Sequence, residues 1–426
     1  MDSLISAATV QVVGTVIVAA ALLQVAVLLF GSLRRVQYGQ SRQGLALDLL
    51  RERVETQTTR RQLEEDRARL TWTGARKFRV MQKVQEGGDI CSFYLVPHDG
   101  KALPPFQPGQ YLTFLLKLPG RDKPLIRCYS LSDSPFNAER YRVSIKRVPP
   151  PRDRPELPPG QSSNFFHDRL NEGDILDVKA PGGHFYLDLS KHTPVVLIGG
   201  GVGLTPVLSM LNAICEAGSK RETWLFYGVR NNDDCIMREH LERLDRENEN
   251  VHLQICFSNP TNDDVAGRDF HHSERVSVEL FKRVLPSSNY EFYMCGPPPM
   301  MEALNADLKE WSVPEAHVNF EAFGPATVRK TKAEPVATEG EAPIQVEFAK
   351  SGKTVAWSGS SDSLLEFAED NDIMIDSGCR AGNCGTCVTA IKTGEVSYVL
   401  EPGETPESGS CLTCIAVPKS NLTLDA

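Results

Sequence analysis

The sequence is short of positive charge: 46 Lys and Arg stand against 55 Asp and Glu, a net charge of −9 at pH 7. No run of basic residues is interleaved with aromatics. Together these exclude a chain built to grip nucleic acid. Cysteine is also scarce, at 11 in 426 residues, which excludes a secreted scaffold stapled by disulfides. The shortage is uneven. Five of the cysteines fall within the last fifty residues, and such crowding favours a local metal or cluster site. The other six (Cys91, Cys128, Cys215, Cys235, Cys256 and Cys295) are scattered, as in a reducing compartment. The length allows two or three domains, each with its own core.

Charge is missing altogether from Ile5 to Leu33, as is histidine. That run exceeds the roughly 20 residues a helix needs to span a bilayer. A cleaved signal peptide wants a basic start and a shorter apolar core; here the start carries Asp2. A retained transmembrane anchor is expected over residues 1–34. Arg34 and Arg35 follow directly, so everything after the helix is expected in the cytoplasm, on a single-pass protein of the cell membrane. Residues 35–71 read as a charged helical stalk, with a short coiled coil or a surface-lying helix as the other readings.

From residue 72 to 189 short apolar runs are broken by Gly and Pro: KFRVMQKV, SFYLVP, YLTFLLKL, YRVSIKRV, ILDVKA. This spacing predicts an antiparallel β-barrel. Over 190–325 the texture changes. Strand-like PVVLIGG, TWLFYGV, VHLQICFS, EFYMCGP and VNFEAF alternate with helix-like stretches. Alternation of this kind predicts an α/β domain, a parallel sheet with helices on both faces.

Several motifs punctuate these two segments. PGQY ends at Tyr111, and RCYS runs through Arg127, Cys128, Tyr129 and Ser130. GQSSNFF, with Ser162 and Ser163, looks like a loop feeding a short helix. Ser163 is the expected N-cap, and a helix start is a natural seat for an anion. GGGVGLTP follows a strand, bringing Gly201, Val202, Gly203, Leu204, Thr205 and Pro206 to a strand-to-helix turn. Glycine there lets backbone approach a pyrophosphate, and Pro206 suits a first helical turn. The usual dinucleotide fingerprint is absent. Leu204 takes the third glycine position, and Arg230 and Asn231 stand where an acidic residue would end the next strand. A Rossmann dehydrogenase of the ordinary type is therefore disfavoured. CGP (Cys295, Gly296, Pro297) ends the fourth strand, at the edge where open α/β sheets bind ligands.

Taken together, residues 72–325 resemble the ferredoxin-NADP reductase superfamily, most closely the reductase half of flavohaemoglobins. The resemblance implies roles. Arg127 would pair with flavin pyrophosphate, and Tyr129, with Cys128 beside it, would line the flavin. Ser130 would reach the flavin N5 edge and Tyr111 would pack on the ring. Ser162 and Ser163 would hold the pyrophosphate. Gly201 to Pro206, with Cys295, Gly296 and Pro297, would cradle the nicotinamide dinucleotide. Ser130, Cys295 and Phe323 would act at the reacting centre, Phe323 covering the flavin face. FAD is expected over FMN, and NADH over NADPH. Arg230 could meet a 2′-phosphate, but Asp233 and Asp234 close by would repel it.

Residues 326–342 carry valine as their only sizeable apolar side chain and read as a linker. Over 343–426 a hairpin-like PIQVEFAKSGKTVAW and a short helix lead into CRAGNCGTC. Cys379, Cys384 and Cys387 are followed by Cys414 in LTC, 27 positions on. That is the plant-type [2Fe–2S] spacing. Gly382 and Gly385 permit a tight curl with no side chain against the sulfides. Zinc would prefer paired C-x2-C knuckles, Cys384 with Cys387 and Cys411 with Cys414, and would leave Cys379 and the glycines unexplained. Cys411 is then a neighbour that does not ligate. The segment resembles plant-type ferredoxins, which implies a β-grasp fold.

A nicotinamide gives up two electrons together, whereas a plant-type cluster takes one, at roughly −400 mV. A flavin between them converts pairs to singles. The expected function is a membrane-anchored reductase passing electrons from NADH to FAD to [2Fe–2S]. The acceptor would be a membrane or protein partner: a quinone, an oxygenase or a cytochrome. The alternative is a tethered ferredoxin-type carrier whose flavoprotein part is structural or regulatory. A subunit of the sodium-pumping NADH:quinone reductase has similar parts, but its ferredoxin domain precedes the flavin domain. No globin precedes residue 72, so nitric oxide chemistry is not expected.

Overall fold

The computed structural model describes residues 12–25, 28–30, 58, 61–120, 124–150, 155–156, 158–322, 344–359, 361–378, 380, 382, 385–399, 402 and 406–426. The chain divides into two units, Met1–Glu65 and Asp66–Ala426. In the first, helix α1 (Val12–Phe30) has a mean hydropathy of 2.6 and is long and apolar enough to cross a membrane. Among its described residues the valine, isoleucine and leucine side chains stand exposed. Of the charged segment at 35–71, residues 61–70 are helical and most of the rest lies outside the described residues. The linker at 326–342 also lies outside them.

The second unit opens with six strands: β1 (Arg76–Gly87), β2 (Ile90–Pro97), β3 (Tyr111–Leu116), β4 (Leu125–Ser130), β5 (Tyr141–Lys146) and β6 (Ile175–Val178). Their order is β4-β3-β6-β1-β2-β5, and every pairing is antiparallel. A bridge between Leu131 and Val143 brings the two edge strands together. Alternation sets the inner face: Phe78 and Val80 of β1 are fully buried, and Tyr141, Val143 and Ile145 of β5 join them. Helix α2 (Gln161–Asp168) contributes the fully buried Phe166, whose ring meets those of Phe93, Phe114 and Tyr129 at 5.2–5.3 Å. Ser163 is not the N-cap of α2. Gly160 holds that position, and Ser163 sits inside the first turn, donating to the Gly160 carbonyl and accepting from the Val148 N–H. A Cβ at Gly160 would fall 2.8 Å from the Val148 side chain, so close packing decides the cap.

Five parallel strands follow: β7 (Val195–Gly200), β8 (Thr223–Val229), β9 (Val251–Phe257), β10 (Glu291–Gly296) and β11 (Val318–Ala322). Their order is β11-β10-β7-β8-β9. Both faces are covered, which is why the strands read as near-continuous apolar runs. Helices α3 (Leu204–Glu216) and α4 (Arg238–Glu247) close one face over Leu197, Leu225 and Ile255. Helices α5 (Val278–Val284) and α6 (Pro298–Glu310) close the other over Ile198, Phe226 and Phe292. The Ser277 hydroxyl caps α5 by accepting from the Leu280 N–H, and proline opens α6.

The C-terminal part holds β12 (Gln345–Phe348), β13 (Lys353–Ala356), α7 (Leu364–Asp370), β14 (Val388–Thr393), β15 (Val396–Tyr398), β16 (Ser410–Leu412), β17 (Ala416–Pro418) and β18 (Leu422–Leu424). Five strands form a mixed sheet ordered β13-β12-β18-β14-β16, with β12 and β18 parallel. Helix α7, capped by Ser363, packs Leu364, Phe367 and Ala368 onto Val346, Phe348 and Leu424.

Candidate active site and cluster site

The C-terminal ends of β7 and β10 lie side by side, because the strands pair in register from Val195 opposite Glu291 to Gly199 opposite Cys295. Between them the chain turns through a short 3-10 helix, Gly201–Gly203, into α3. Gly201 has φ +55° and open space about its Cα. Gly203 is fixed by contact instead. A Cβ there would lie 2.2 Å from the Cys295 carbonyl oxygen, so only glycine lets the turn seat on the end of β10. Thr205 Oγ1 donates to the Val202 carbonyl at 3.0 Å, and Leu204, Thr205 and Pro206 are buried. Met300 covers Gly200 and Gly296 from the far side, within 2.8 and 2.3 Å of where a Cβ would be, and Pro297 flanks Gly200. The residues named for nicotinamide therefore converge on one glycine-floored edge.

A carboxylic acid that sequence reasoning did not single out joins them. Glu321 of β11 pairs in register with Cys295 of β10. Across the boundary of the two sheets, Ser130 Oγ donates to Glu321 Oε2 at 3.4 Å. Glu321 keeps some exposed surface, yet its carboxyl is enclosed closely enough that desolvation lifts its pKa to about 8. The Ser130 hydrogen bond opposes this only in part. Cys295 is fully buried, and burial, with Glu321 adding to it, pushes its thiol well above the ordinary range. It is a small, inert side chain here, not a thiolate nucleophile. In the sequence Glu321 is marked only by its place in VNFEAF, two residues before Phe323. Phe323 lies outside the described residues.

On the other side of Ser130, β4 presents Arg127 and Tyr129 on one face. The Tyr129 hydroxyl and Ser162 Oγ at the start of α2 are 2.8 Å apart. Burial drives the Tyr129 phenol up to about 12, so it stays neutral. Arg127 Nη1 donates to the Ile126 carbonyl at 2.7 Å. A guanidinium, a neutral phenol and a helix start so arranged suit an anionic group. Cys128 faces the opposite way, its Sγ 3.4 Å from Thr113 Oγ1. The Tyr111 ring lies against Gly183, where a Cβ would come within 2.7 Å of it. Ser163 is spent on the backbone of Gly160 and Val148.

Arg230, at the end of β8, is held by both carboxylate oxygens of Asp234, at 2.5 and 3.1 Å. The ion pair lowers the Asp234 pKa and raises that of the exposed Arg230.

In the C-terminal part, Cys387 and Cys414 are buried with their sulfurs 3.1 Å apart. That separation is far beyond the roughly 2.05 Å of a disulfide, and neither residue is in one. One metal atom could take both. Thr413 binds the Cys387 carbonyl with its N–H (3.3 Å) and hydroxyl (3.0 Å), pinning the two cysteine segments together. Cys411, facing Thr389 in the sheet, belongs to the other apolar cluster of this domain, and burial raises its thiol to about 12. Gly382 takes φ +75°, where a Cβ would strike Ile415 at 2.5 Å. The Arg380 guanidinium pairs with Glu369 of α7, tying the cysteine loop to that helix. Cys379 and Cys384 lie outside the described residues.

Comparison with known proteins bears on these sites. Residues 77–186 match the family "Oxidoreductase FAD-binding domain", 197–306 "Oxidoreductase NAD-binding domain", and 347–419 "2Fe-2S iron-sulfur cluster binding domain". A flavohemoprotein of Bacillus cereus is 41% identical over 255 residues, 60% of this chain and 62% of that protein. The chain thus spans about three-fifths of the length of the curated relatives it matches. The flavohem-like FAD/NAD binding domain of nitric oxide dioxygenase from Vibrio cholerae is 31% identical, covering 59% of this chain and all of that one, with a TM-score of 0.52. Phthalate dioxygenase reductase, described as a modular structure for electron transfer from pyridine nucleotides to [2Fe–2S], is 27% identical over 83% of this chain and 98% of its own, with a TM-score of 0.52. The chain belongs to the FAD- and NAD-binding oxidoreductases of the ferredoxin-NADP reductase type, fused to a 2Fe-2S ferredoxin domain. It is an NAD(P)H-dependent electron-transfer enzyme, with FAD, NAD and a [2Fe–2S] cluster as its cofactors.

Proposed function

We propose that the protein is a membrane-anchored NADH-dependent reductase that delivers single electrons, through FAD and then [2Fe–2S], to an oxygenase, cytochrome or quinone at the bilayer. The observation that carries this is the meeting of Ser130, Glu321 and Cys295 at the edge of the parallel sheet, in a chain that also buries Cys387 beside Cys414. Bound FAD would supply the conversion of a two-electron hydride into single electrons for the cluster.

The chain's own residues bind, orient and manage the proton. Arg127, Tyr129 and Ser162 hold the FAD pyrophosphate, with Cys128 and Ser163 supporting them through the backbone and Tyr111 packed at the flavin. The turn from Gly201 to Pro206, with Gly296 and Pro297, cradles NADH. Cys295, small and uncharged, leaves room for the nicotinamide. Glu321 holds its proton at neutral pH and accepts a hydrogen bond from Ser130 at the N5 edge. Phe323 covers the flavin face. Cys379, Cys384, Cys387 and Cys414 ligate the cluster, and Cys411 does not. Domain limits of 72–189, 190–325 and 343–426 accommodate these sites, with the first sheet closing as a barrel and the last domain a β-grasp.

NADH is favoured because Asp234 already occupies the Arg230 guanidinium and would repel a 2′-phosphate. Phthalate dioxygenase reductase suggests an oxygenase-type partner. Helix α1 suggests that the partner is reached at the membrane, with the catalytic domains in the cytoplasm. The test is anaerobic mixing with NADH followed by candidate oxidants. Flavin bleaching followed by stoichiometric reduction of a quinone or cytochrome supports the reading; a flavin that NADH cannot bleach refutes it.

A further inference from the structure

The segment leaving β4 reads YSLSDSP, with serines at 130, 132 and 134. Side chains two apart in extended backbone share a face, and the segment stays paired past the strand through the Leu131–Val143 bridge and the Ser132 N–H to Arg142 carbonyl bond. All three serines are buried. Ser130 bonds Glu321 of the parallel-sheet domain. Ser132 is secured within its own domain by Ser144 Oγ at 2.9 Å and by the Arg142 guanidinium at 3.1 Å. Ser134 Oγ–H donates to Glu216 Oε2, again across to the parallel-sheet domain. A strand segment about 13 Å long is thus attached to the neighbouring domain at both ends and braced in the middle.

Glu216 is the last residue of α3, whose first turn is the dinucleotide cradle. That first turn abuts the Cys295 carbonyl through Gly203. The helix is also held along its length. Asn212, one turn before Glu216 and buried, accepts from His240 Nε2 of α4 at 2.7 Å, and His240 Nδ1 accepts from Arg243 at 2.8 Å. A 13-residue helix braced in this way moves as a rod roughly 20 Å long. A shift at its C-terminal end therefore displaces the cradle at its N-terminal end. One contact fixes a point between two bodies; a second, distant contact leaves only rotation about the line that joins the two.

We propose that the Ser134–Glu216 contact is a positioning latch. It sets the angle of α3, and so the register of the nicotinamide cradle against the flavin strand, for hydride transfer. The latch rests on the assignment of the two cofactor sites proposed above. Neither residue touches the reacting atoms; both act through α3 and β4.

The experiment uses the full-length protein in detergent, loaded with FAD and cluster. Flavin bleaching is followed anaerobically by stopped flow with NADH, and with NADH deuterated at the transferred position. The variants are Glu216→Ala, which removes the acceptor, Ser134→Ala and the two combined. Each single variant is expected to lower the limiting bleaching rate more than threefold and to raise the deuterium isotope effect. The half-saturating NADH concentration should move less than twofold. The combined variant should be no slower than the slower single one. A limiting rate within threefold of the parent, an unchanged isotope effect, or losses that multiply in the combined variant would overturn the latch. Glu216→Ala truncates only an exposed side chain and decides the matter alone if Ser134→Ala does not fold. A parent flavin that NADH fails to bleach would refute the site assignment and the latch together; a bleached parent matched by its variants would refute the latch only.

Discussion

Replacing Glu321 by glutamine removes a titratable group while keeping its shape and hydrogen-bonding reach. Enclosure lifts this carboxyl from 4.5 to about 8, a difference that corresponds to at most about 5 kcal/mol at 1.36 kcal/mol per pKa unit. Residual exposure and local relaxation reduce the usable part to about 1–3 kcal/mol. The sign follows from proton counting. Between pH 4.5 and about 8 the native protein keeps a proton that the unfolded chain has lost, so stability falls as pH rises through this window. Above about 8 both states are ionised and the full cost of the enclosed carboxylate remains. Glu321→Gln should therefore match the parent near pH 4 and unfold at higher temperature than the parent at pH 9. Thermal unfolding followed by tryptophan fluorescence at both pH values measures this. Kinetics supply the second arm. The parent's limiting rate of flavin bleaching by NADH should fall as pH rises through about 8, where Glu321 ionises. The glutamine variant should be at least tenfold slower, about 1.4 kcal/mol of barrier, with a flat profile over the same range. Identical stability differences at pH 4 and pH 9, or a variant that retains the parent's pH profile, would refute the reasoning.

Cys414→Ser should abolish the visible absorption and magnetic signal of the cluster while leaving FAD content and NADH bleaching intact, as read by iron analysis and absorption spectra. Gly203→Ala places a methyl 2.2 Å from the Cys295 carbonyl, so the turn must shift. The KM for NADH should rise at least tenfold with FAD occupancy unchanged, measured by steady-state dye reduction. Asp234→Asn releases the Arg230 guanidinium from its bidentate partner. The ratio of kcat/KM for NADPH to that for NADH should rise tenfold or more, and the gain should shrink at high salt.

What could be read in the sequence was what lies close along the chain. The cysteine spacing from Cys379 to Cys387 and the glycines at 199–203 are local signals, since a curl or a close backbone approach leaves its mark within a few residues. The alternation of strands and helices after residue 190 predicted the parallel sheet, because burial on both faces writes uninterrupted apolar runs into each strand. Contacts made by folding were not readable in the same way. Glu321 meets Ser130 across 191 residues and Ser134 meets Glu216 across 82; nothing near either glutamate distinguishes it from a surface residue. Ser163 looked like a helix cap because serine prefers that position. The cap falls to Gly160 because Val148 leaves no room there for a side chain, a constraint set by the segment that follows β5.

The central claim is that one polypeptide converts a hydride into single electrons. Its most direct test is an anaerobic titration of the full-length protein with NADH, reading flavin absorption and the electron paramagnetic resonance of the cluster in the same samples. The flavin should bleach and the signal of one reduced [2Fe–2S] cluster per chain should grow with it, at every protein concentration tested. Bleaching with the cluster left oxidised, or cluster reduction that slows as the protein is diluted, would contradict it.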